Sequence, residues 1–484
     1  MALYTLIEEY YETRITMGFY RNGDSLPSIL DICAMFHVAP ATARAALHSL
    51  EKRGHLRIDA RRTAKVIDRA DPAAKTRSAA VYFAQREDGM RDIFEGAQLL
   101  FEPLWQQGIA VWGKEHWQLL AQSLAVPPRA LTLPVRCYAI ILNTLHNGLA
   151  LNFFWEVIRY LRFPYLLPPA RPGAQEKLPL PGDGEQAWTD WLGQYLRTLS
   201  ATRQKDLLSF VEKTKAEFQL EQIPQIPFRW SIYHRRPQFC YSLVAQLLRD
   251  IASLRLTAGE YLPSLPQLAQ QTGTSVSTVR RTLRILEALG MTESQQGRGT
   301  LVCAAPARLD VSMFEVQEGL RFYREALQML ALTIRGVCGA TLEAAPADAR
   351  AAFRQKFLLL LEQGQSQYSF ESCLAFIASY GPSALVRECY GELRGLLFWG
   401  YPLALLRLDA QRLDEAYHQI VRRAVDCLKA EDWAGFAAVW EELMAQEERN
   451  VDLWFVQNGL DALIPVSAAP AASPGETAEK TAPV

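Results

Sequence analysis

Residues 26–66, LPSILDICAMFHVAPATARAALHSLEKRGHLRIDARRTAKV, lie over residues 262–302, LPSLPQLAQQTGTSVSTVRRTLRILEALGMTESQQGRGTLV, without a gap at a constant offset of 236. The matching pairs include Leu26-Pro27-Ser28 with Leu262-Pro263-Ser264, Thr42 with Thr278 and Arg44 with Arg280. They continue with Leu47 and Leu283, Leu50-Glu51 and Leu286-Glu287, then Gly54 and Gly290. Whatever unit the second stretch builds, the first must build as well, so this chain has to be read as a duplication.

The second stretch reads as helix, turn, helix and hairpin. Ser264 is a good N-cap for a helix with Leu265, Leu268 and Ala269 on one face. Thr272-Gly273-Thr274 supplies the tight turn. Ser275 opens a second helix whose Val276, Val279, Leu283, Leu286 and Leu289 recur at three and four residues, the period of one buried stripe. The opposite face carries Ser277, Thr278, Arg280, Arg281 and Arg284. Gly290 ends this helix, and Gly297-Arg298-Gly299-Thr300 fits a tight hairpin between two short strands. A helix whose free face is Ser, Thr and Arg suits the major groove, where it meets phosphates and base edges together.

These residues resemble the winged helix-turn-helix of the GntR family of bacterial transcription regulators. The likeness is carried by Leu262-Pro263-Ser264, Leu268-Ala269, Ser275, Thr278-Val279-Arg280, Leu283, Leu286, Gly290 and Gly297-Arg298-Gly299-Thr300. Two positions depart from the family. Val276 stands where members usually have an Arg, and Leu265-Pro266-Gln267 where they often have an acidic-basic-acidic run. Both positions tend to contact DNA in the family, so the resemblance implies DNA binding more firmly than any particular operator.

The first copy has drifted further. Pro40 occupies the contacting-Arg position, and the Gly-Arg-Gly wing has become Arg61-Arg62-Thr63. Yet residues 40–67 hold seven Lys and Arg against two acids, whereas residues 275–303 hold four against two. The expectation is a phosphate clamp in the first copy, through Thr42, Arg44, His48, Lys52, Arg61 and Arg62. The second copy is expected to read bases through Ser275, Ser277, Thr278, Arg280, Arg281 and Arg284, with Arg298 of the wing reaching a phosphate or the minor groove.

At 484 residues the chain suits roughly three to five domains. Its net charge of −1 supplies no whole-molecule pull toward nucleic acid, so a DNA-binding surface must be a local patch. The eight Cys are scattered without CxxC or His partners at ligand spacing, which points to buried thiols of a reducing cytoplasm. No basic and apolar leader opens the chain. Tyr138–Ile158 is the best candidate for a membrane helix, but Asn143, His146, Asn147, Asn152 and Glu156 make it a buried helix pair instead.

The expected order is winged helix one at 1–70, an all-helical bundle at 80–220 and a Pro-bearing linker at 221–237. Winged helix two follows at 238–304, a second helical bundle at 310–463 and a disordered Ala- and Pro-rich tail at 464–484. The fold class is thus mainly α, with small β-wings. Within the bundles the spacing predicts helices over 92–105, 114–124, 138–162 (as a pair) and 188–218, around a mobile loop at 168–184. In the second bundle it predicts 313–335, 346–363, 371–380, 384–397, 414–429 and 432–450. Leu149, Phe153 and Val157 match Leu385, Cys389 and Leu393 at the same offset of 236, which hints that the bundles are duplicated too. Ala378–Leu385 and Leu428–Trp433 resemble junctions in the helical effector domain of the FadR-like GntR branch. That branch often holds a metal with one Asp and three His. This C-terminal half has the single His418, so no metal site and no cofactor are expected.

No phosphate-cradling loop, spaced acid pair or nucleophile elbow is present, so the chain is not expected to be an enzyme. Trp105, Trp112, Trp117, Phe153, Phe154 and Trp155 read as bundle filling. The sequence therefore points to a cytoplasmic, sequence-specific transcription regulator built as a tandem pseudo-dimer. Its partner is double-stranded DNA, with a small-molecule effector and a homodimer mate as further candidates, and no membrane. The effector's residues are unknown from sequence. Pro40, Val276 and the near-neutral charge keep a second reading open: a protein-interaction scaffold of degenerate modules that no longer bind DNA.

Overall fold

The computed structural model describes residues 3–16, 20–36, 39–59, 63–67, 72–113, 115–118, 120, 133–162, 185–232, 239–407 and 410–464. Arg61, Arg62, the loop at 168–184, the end of the linker at 233–237 and the tail from 465 onward lie outside the described residues.

The first module is α1 (Leu3–Thr16), α2 (Ile29–Phe36), α3 (Pro40–Lys52), β1 (Leu56–Arg57) and β2 (Lys65–Val66). Pro40 begins α3, where its missing N–H costs nothing. Ala43, Ala46, Leu47 and Leu50 form the buried stripe of α3, and α1 brings Ile7, Tyr10 and Tyr11 to the same core. The first helical region is α4 (Pro72–Ala84), α5 (Glu87–Ala110), α6 (Leu133–Thr144), α7 (Gly148–Leu161) and α8 (Glu185–Phe218). The spacing did not anticipate α4. It also gives the next helix as 92–105, whereas α5 starts at Glu87 and reaches Ala110, with Pro103 inside it. A proline inside a helix costs about 3 kcal/mol. Burial of Leu100, Phe101, Leu104, Trp105 and Ile109 along one face offsets that cost. Trp105, Trp112, Phe153, Phe154 and Trp155 are buried.

The second module repeats the first as α9 (Phe239–Ala252), α10 (Leu265–Thr272), α11 (Val276–Ala288), β3 (Thr292–Gln295) and β4 (Gly299–Val302). The registers coincide at the offset of 236: Leu56 faces Val66 as Thr292 faces Val302. Single bridges join Ser25 to Lys65 and Tyr261 to Leu301. Gly23 donates to the Val66 carbonyl as Gly259 does to Val302, both at 2.9 Å. These two glycines have φ of 88° and 89°, a left-handed turn that a side chain would strain. The second helical region is α12 (Phe314–Ala344), α13 (Ala347–Glu362), α14 (Ser369–Tyr380), α15 (Ala384–Leu397), α16 (Tyr401–Arg407), α17 (Ala410–Ala430) and α18 (Trp433–Gln457). Here α14 and α15 begin and end 236 residues after α6 and α7. Leu149, Phe153 and Val157 are buried, and so are Leu385, Cys389 and Leu393.

The two halves share one continuous core. α5 packs on α12 and on α15, while α12 packs on α7. Gly96 permits the α5–α15 approach, because a Cβ there would lie 2.0 Å from Ser383 Oγ. Each half caps a helix of the other. Asp92 of α5 accepts the N–H groups of Ala384 (2.5 Å) and Leu385 (2.7 Å) at the start of α15. Glu325 of α12 accepts that of Leu149 (2.9 Å) at the start of α7. Asn147 and Ser383 are the N-caps of these two helices, again 236 apart. The described part of the linker is docked rather than loose: Phe228, Trp230 and Ile232 are buried. Trp230 donates Nε1 to Asn152 of the first half and its backbone N–H to Glu388 of the second.

Candidate nucleic-acid interface

In the second module, Ser275 caps α11 by accepting the N–H of Thr278 at 3.1 Å. Its hydroxyl also meets those of Ser277 (2.8 Å) and Thr278 (2.9 Å). The polar opening of α11 is therefore a hydroxyl cluster that orders the first turn, with Ser275 and Ser277 exposed and Thr278 partly so. Val279, Thr282, Leu283, Ile285 and Leu286 form the buried side. Val276, expected in that stripe, is instead 38% exposed and belongs to the free face. It lies at the first turn, where the helix has not yet met its core.

The three arginines of α11 divide. Arg280 is exposed and forms no ion pair among the described residues. Arg281 turns toward the helical region and reaches Glu315, in the first turn of α12, at 2.9 Å through Nη2 and 3.1 Å through Nε. Arg284 reaches the same carboxylate oxygen at 3.2 Å while its side chain stays 64% exposed. Burial would raise the Glu315 pKa, but its own backbone N–H and the two guanidiniums outweigh this and hold the carboxyl below the ordinary range. Sequence analysis set Arg280, Arg281 and Arg284 on one groove-facing surface. In the structure only Arg280 of the three is uncommitted. Nothing in the spacing of Glu315 ties it in sequence to residues 31 and 34 positions earlier.

Arg298 is exposed in the wing between Gly297 and Gly299, whose φ values are 77° and 117°. Tyr261 braces the wing, its hydroxyl 2.6 Å from the Gln295 side chain. In the first module Arg44, His48 and Lys52 share an exposed face of α3 at four-residue spacing, with Thr42 half-buried beside them. His48 lies 3.3 Å from Glu51. Arg53, counted among the basic residues of this copy, is drawn inward to Glu8 (2.7 Å) and Glu12 of α1. Arg57 and Lys65 are exposed on the module-one hairpin.

Residues 3–66 and 241–302 each match the family described as "Bacterial regulatory proteins, gntR family". The chain carries two GntR modules. No curated protein matches the chain. Solved structures to which it is similar include a Streptococcus agalactiae GntR, at 13% identity and a TM-score of 0.19, over 44% of this chain and 99% of that one. Another is Lar, which controls the expression of the Listeria monocytogenes agr system, at 14% identity and 0.19, over 46% and 98%. A third is a GntR-family transcriptional regulator from Pseudomonas syringae pv. tomato, at 17% and 0.19, over 46% and 90%. Outside the GntR modules the described residues hold no helix long and apolar enough to cross a membrane. All eight Cys are free, and Cys33, Cys303 and Cys427 are only half-buried, against the expectation of uniformly buried thiols. His418 sits half-buried on α17.

Proposed function

We propose that this chain is a cytoplasmic, non-enzymatic transcription regulator that binds double-stranded DNA sequence-specifically as a tandem pseudo-dimer. The observation that carries the reading is reciprocity. Asp92 of the first half caps α15 of the second, and Glu325 of the second caps α7 of the first. Asp92 and its counterpart 236 residues on, Gln328, both sit at the start of the other half's matching helix, Asp92 on Ala384 and Leu385 of α15 and Gln328 on Asn147, the N-cap of α7. Such an exchange of equivalent contacts is the signature of an approximate two-fold interface, here within one polypeptide. Each half carries an exposed arginine on the third helix of its module, Arg44 on α3 and Arg280 on α11. Two such helices at a fixed separation suit two half-sites. Because the halves differ in sequence, the half-sites need not match. Arg280 and the Ser277 hydroxyl are the base readers of module two, Arg298 its wing contact, and Arg44, His48 and Lys52 the phosphate clamp of module one. A small effector that shifts the two modules would regulate binding, and a second chain is a further partner.

Selection of bound fragments from a random DNA library by the purified full chain tests this. Two dissimilar half-sites at one spacing are expected. No enrichment, with retention on heparin no stronger than that of a size-matched control of equal charge, would replace the regulator by a protein-interaction scaffold.

A further inference from the structure

Val276 leaves an isopropyl group on the free face of α11. It is the first residue of that helix and is 38% exposed, whereas Val279 and Leu283 further along are buried in the module core. Ser275 and Ser277 flank it, and their hydroxyls meet each other at 2.8 Å. Ser275 also accepts the Thr278 N–H at 3.1 Å, so the turn that carries Val276 is ordered. Arg280 follows four residues later on the same face, exposed and without an ion pair among the described residues.

The first module presents the same pairing. Pro40 stands 236 residues before Val276, begins α3 and is exposed, and the exposed Arg44 follows it by four. Around this pair the two faces differ, with Ala41 in place of Ser277 and Ala45 in place of Arg281. A single exposed valine on a protein surface is ordinary. An uncovered apolar group one helical turn ahead of an exposed arginine, at equivalent places on both modules, asks what covers it.

The major groove offers one apolar group, the C5-methyl of thymine, and its other edge atoms are donors and acceptors. An isopropyl group pressed on a donor or acceptor would take it from water unpaired, at a cost. Against a thymine methyl it buries apolar surface on both sides. The side chain thus selects partly by exclusion, while the Arg280 guanidinium suits the N7 and O6 acceptors of guanine. Four residues of helix span roughly 6 Å, which is about two base steps of about 3.4 Å each.

We propose that Val276 reads a thymine through its C5-methyl group, about two base pairs from the base that Arg280 meets. The contact rests on the DNA-binding reading above and supplies one position of the module-two half-site. Having no charge, Val276 adds to sequence preference and nothing to the salt dependence.

The probe is the duplex that the full chain enriches from a random library, remade with deoxyuridine in place of each thymine in turn. Uracil keeps the base pairing and the O4 acceptor and lacks only the methyl group. Fluorescence anisotropy with the full chain should reveal a thymine whose replacement weakens binding about fourfold, the effect of returning one apolar carbon to water. Val276→Ala should keep the urea midpoint and the salt slope of the parent, and bind the thymine and deoxyuridine forms of that duplex about equally. An enriched duplex without any methyl-sensitive thymine overturns the contact. So does methyl sensitivity that persists in full in Val276→Ala, because another residue would then be reading it. Both of those results leave DNA binding standing. If no duplex is enriched at all, the DNA-binding reading fails and the contact falls with it.

Discussion

Glu325 accepts the backbone N–H of Leu149 at 2.9 Å, although the two residues belong to opposite halves of the duplication. Burial raises the Glu325 pKa, with Arg321 and the N–H groups of Gly148 and Leu149 pulling against it. The carboxylate thus replaces solvent at the start of α7, as Asp92 does at the start of α15.

Removal of either cap should be felt by the whole chain, because the capped helix lies in the other half. Asp92→Ala is expected to cost about 1–2 kcal/mol, and Glu325→Ala a similar amount. Glu325→Gln keeps an oxygen for Leu149 and should be milder. Urea unfolding followed by far-UV circular dichroism and tryptophan fluorescence checks this. If either variant loosened only its own half, with the two probes separating, the shared interface would not be the unit that unfolds.

Glu315 holds two arginines that would otherwise be available to phosphates. Glu315→Ala should therefore raise affinity for random-sequence duplex several-fold, and steepen the dependence of log K on log salt by about one to two units. Fluorescence anisotropy across a salt series reads both quantities. An unchanged slope would mean that Arg281 and Arg284 do not reach the backbone even when released. The sign with pH follows from the lowered Glu315 pKa. The stability this clasp contributes is fully present above the carboxyl's unfolded value and is lost only as pH falls through the folded one.

Much of this architecture could be read from residue types alone, for a local reason. The left-handed glycines Gly54 and Gly290, the cap Ser275 and the apolar stripe of α11 each specify structure within a few positions of themselves. The same holds for α7 and α15, whose duplication surfaced through three buried pairs. What escaped depends on docking. Arg281 looks identical to Arg280 in sequence, and only the angle at which α12 leaves the module sends one to Glu315 and the other to solvent. The cavity of about 570 Å³ between module two and the second helical region is hidden from sequence for the same cause, since its lining is gathered from residues 249 to 447.

Arg280→Ala isolates the uncommitted arginine of α11. A base contact predicts a loss of about 1–3 kcal/mol on the selected site and a much smaller loss on random DNA. Titration of both duplexes at one salt concentration separates the cases. Equal losses would reduce Arg280 to a phosphate contact and leave sequence reading to other residues.

Glu392 gives the chain a pH dependence near neutrality. Burial, then the neighbouring Glu388 carboxylate, push its pKa up to about 7, against the opposing pull of Arg229. The folded state therefore binds this proton more tightly than the unfolded one. Stability should be greatest at low pH as far as this group is concerned, fall as pH rises from the ordinary carboxylate value toward 7, and then level off. Glu392→Gln removes the titration, so it should stabilise the chain at pH 8 by up to about 3 kcal/mol and have little effect near pH 5. Denaturant midpoints of both proteins at the two pH values test this. Curves that stay parallel from pH 5 to pH 8 would show that Glu392 ionises as freely in the folded chain as in the unfolded one.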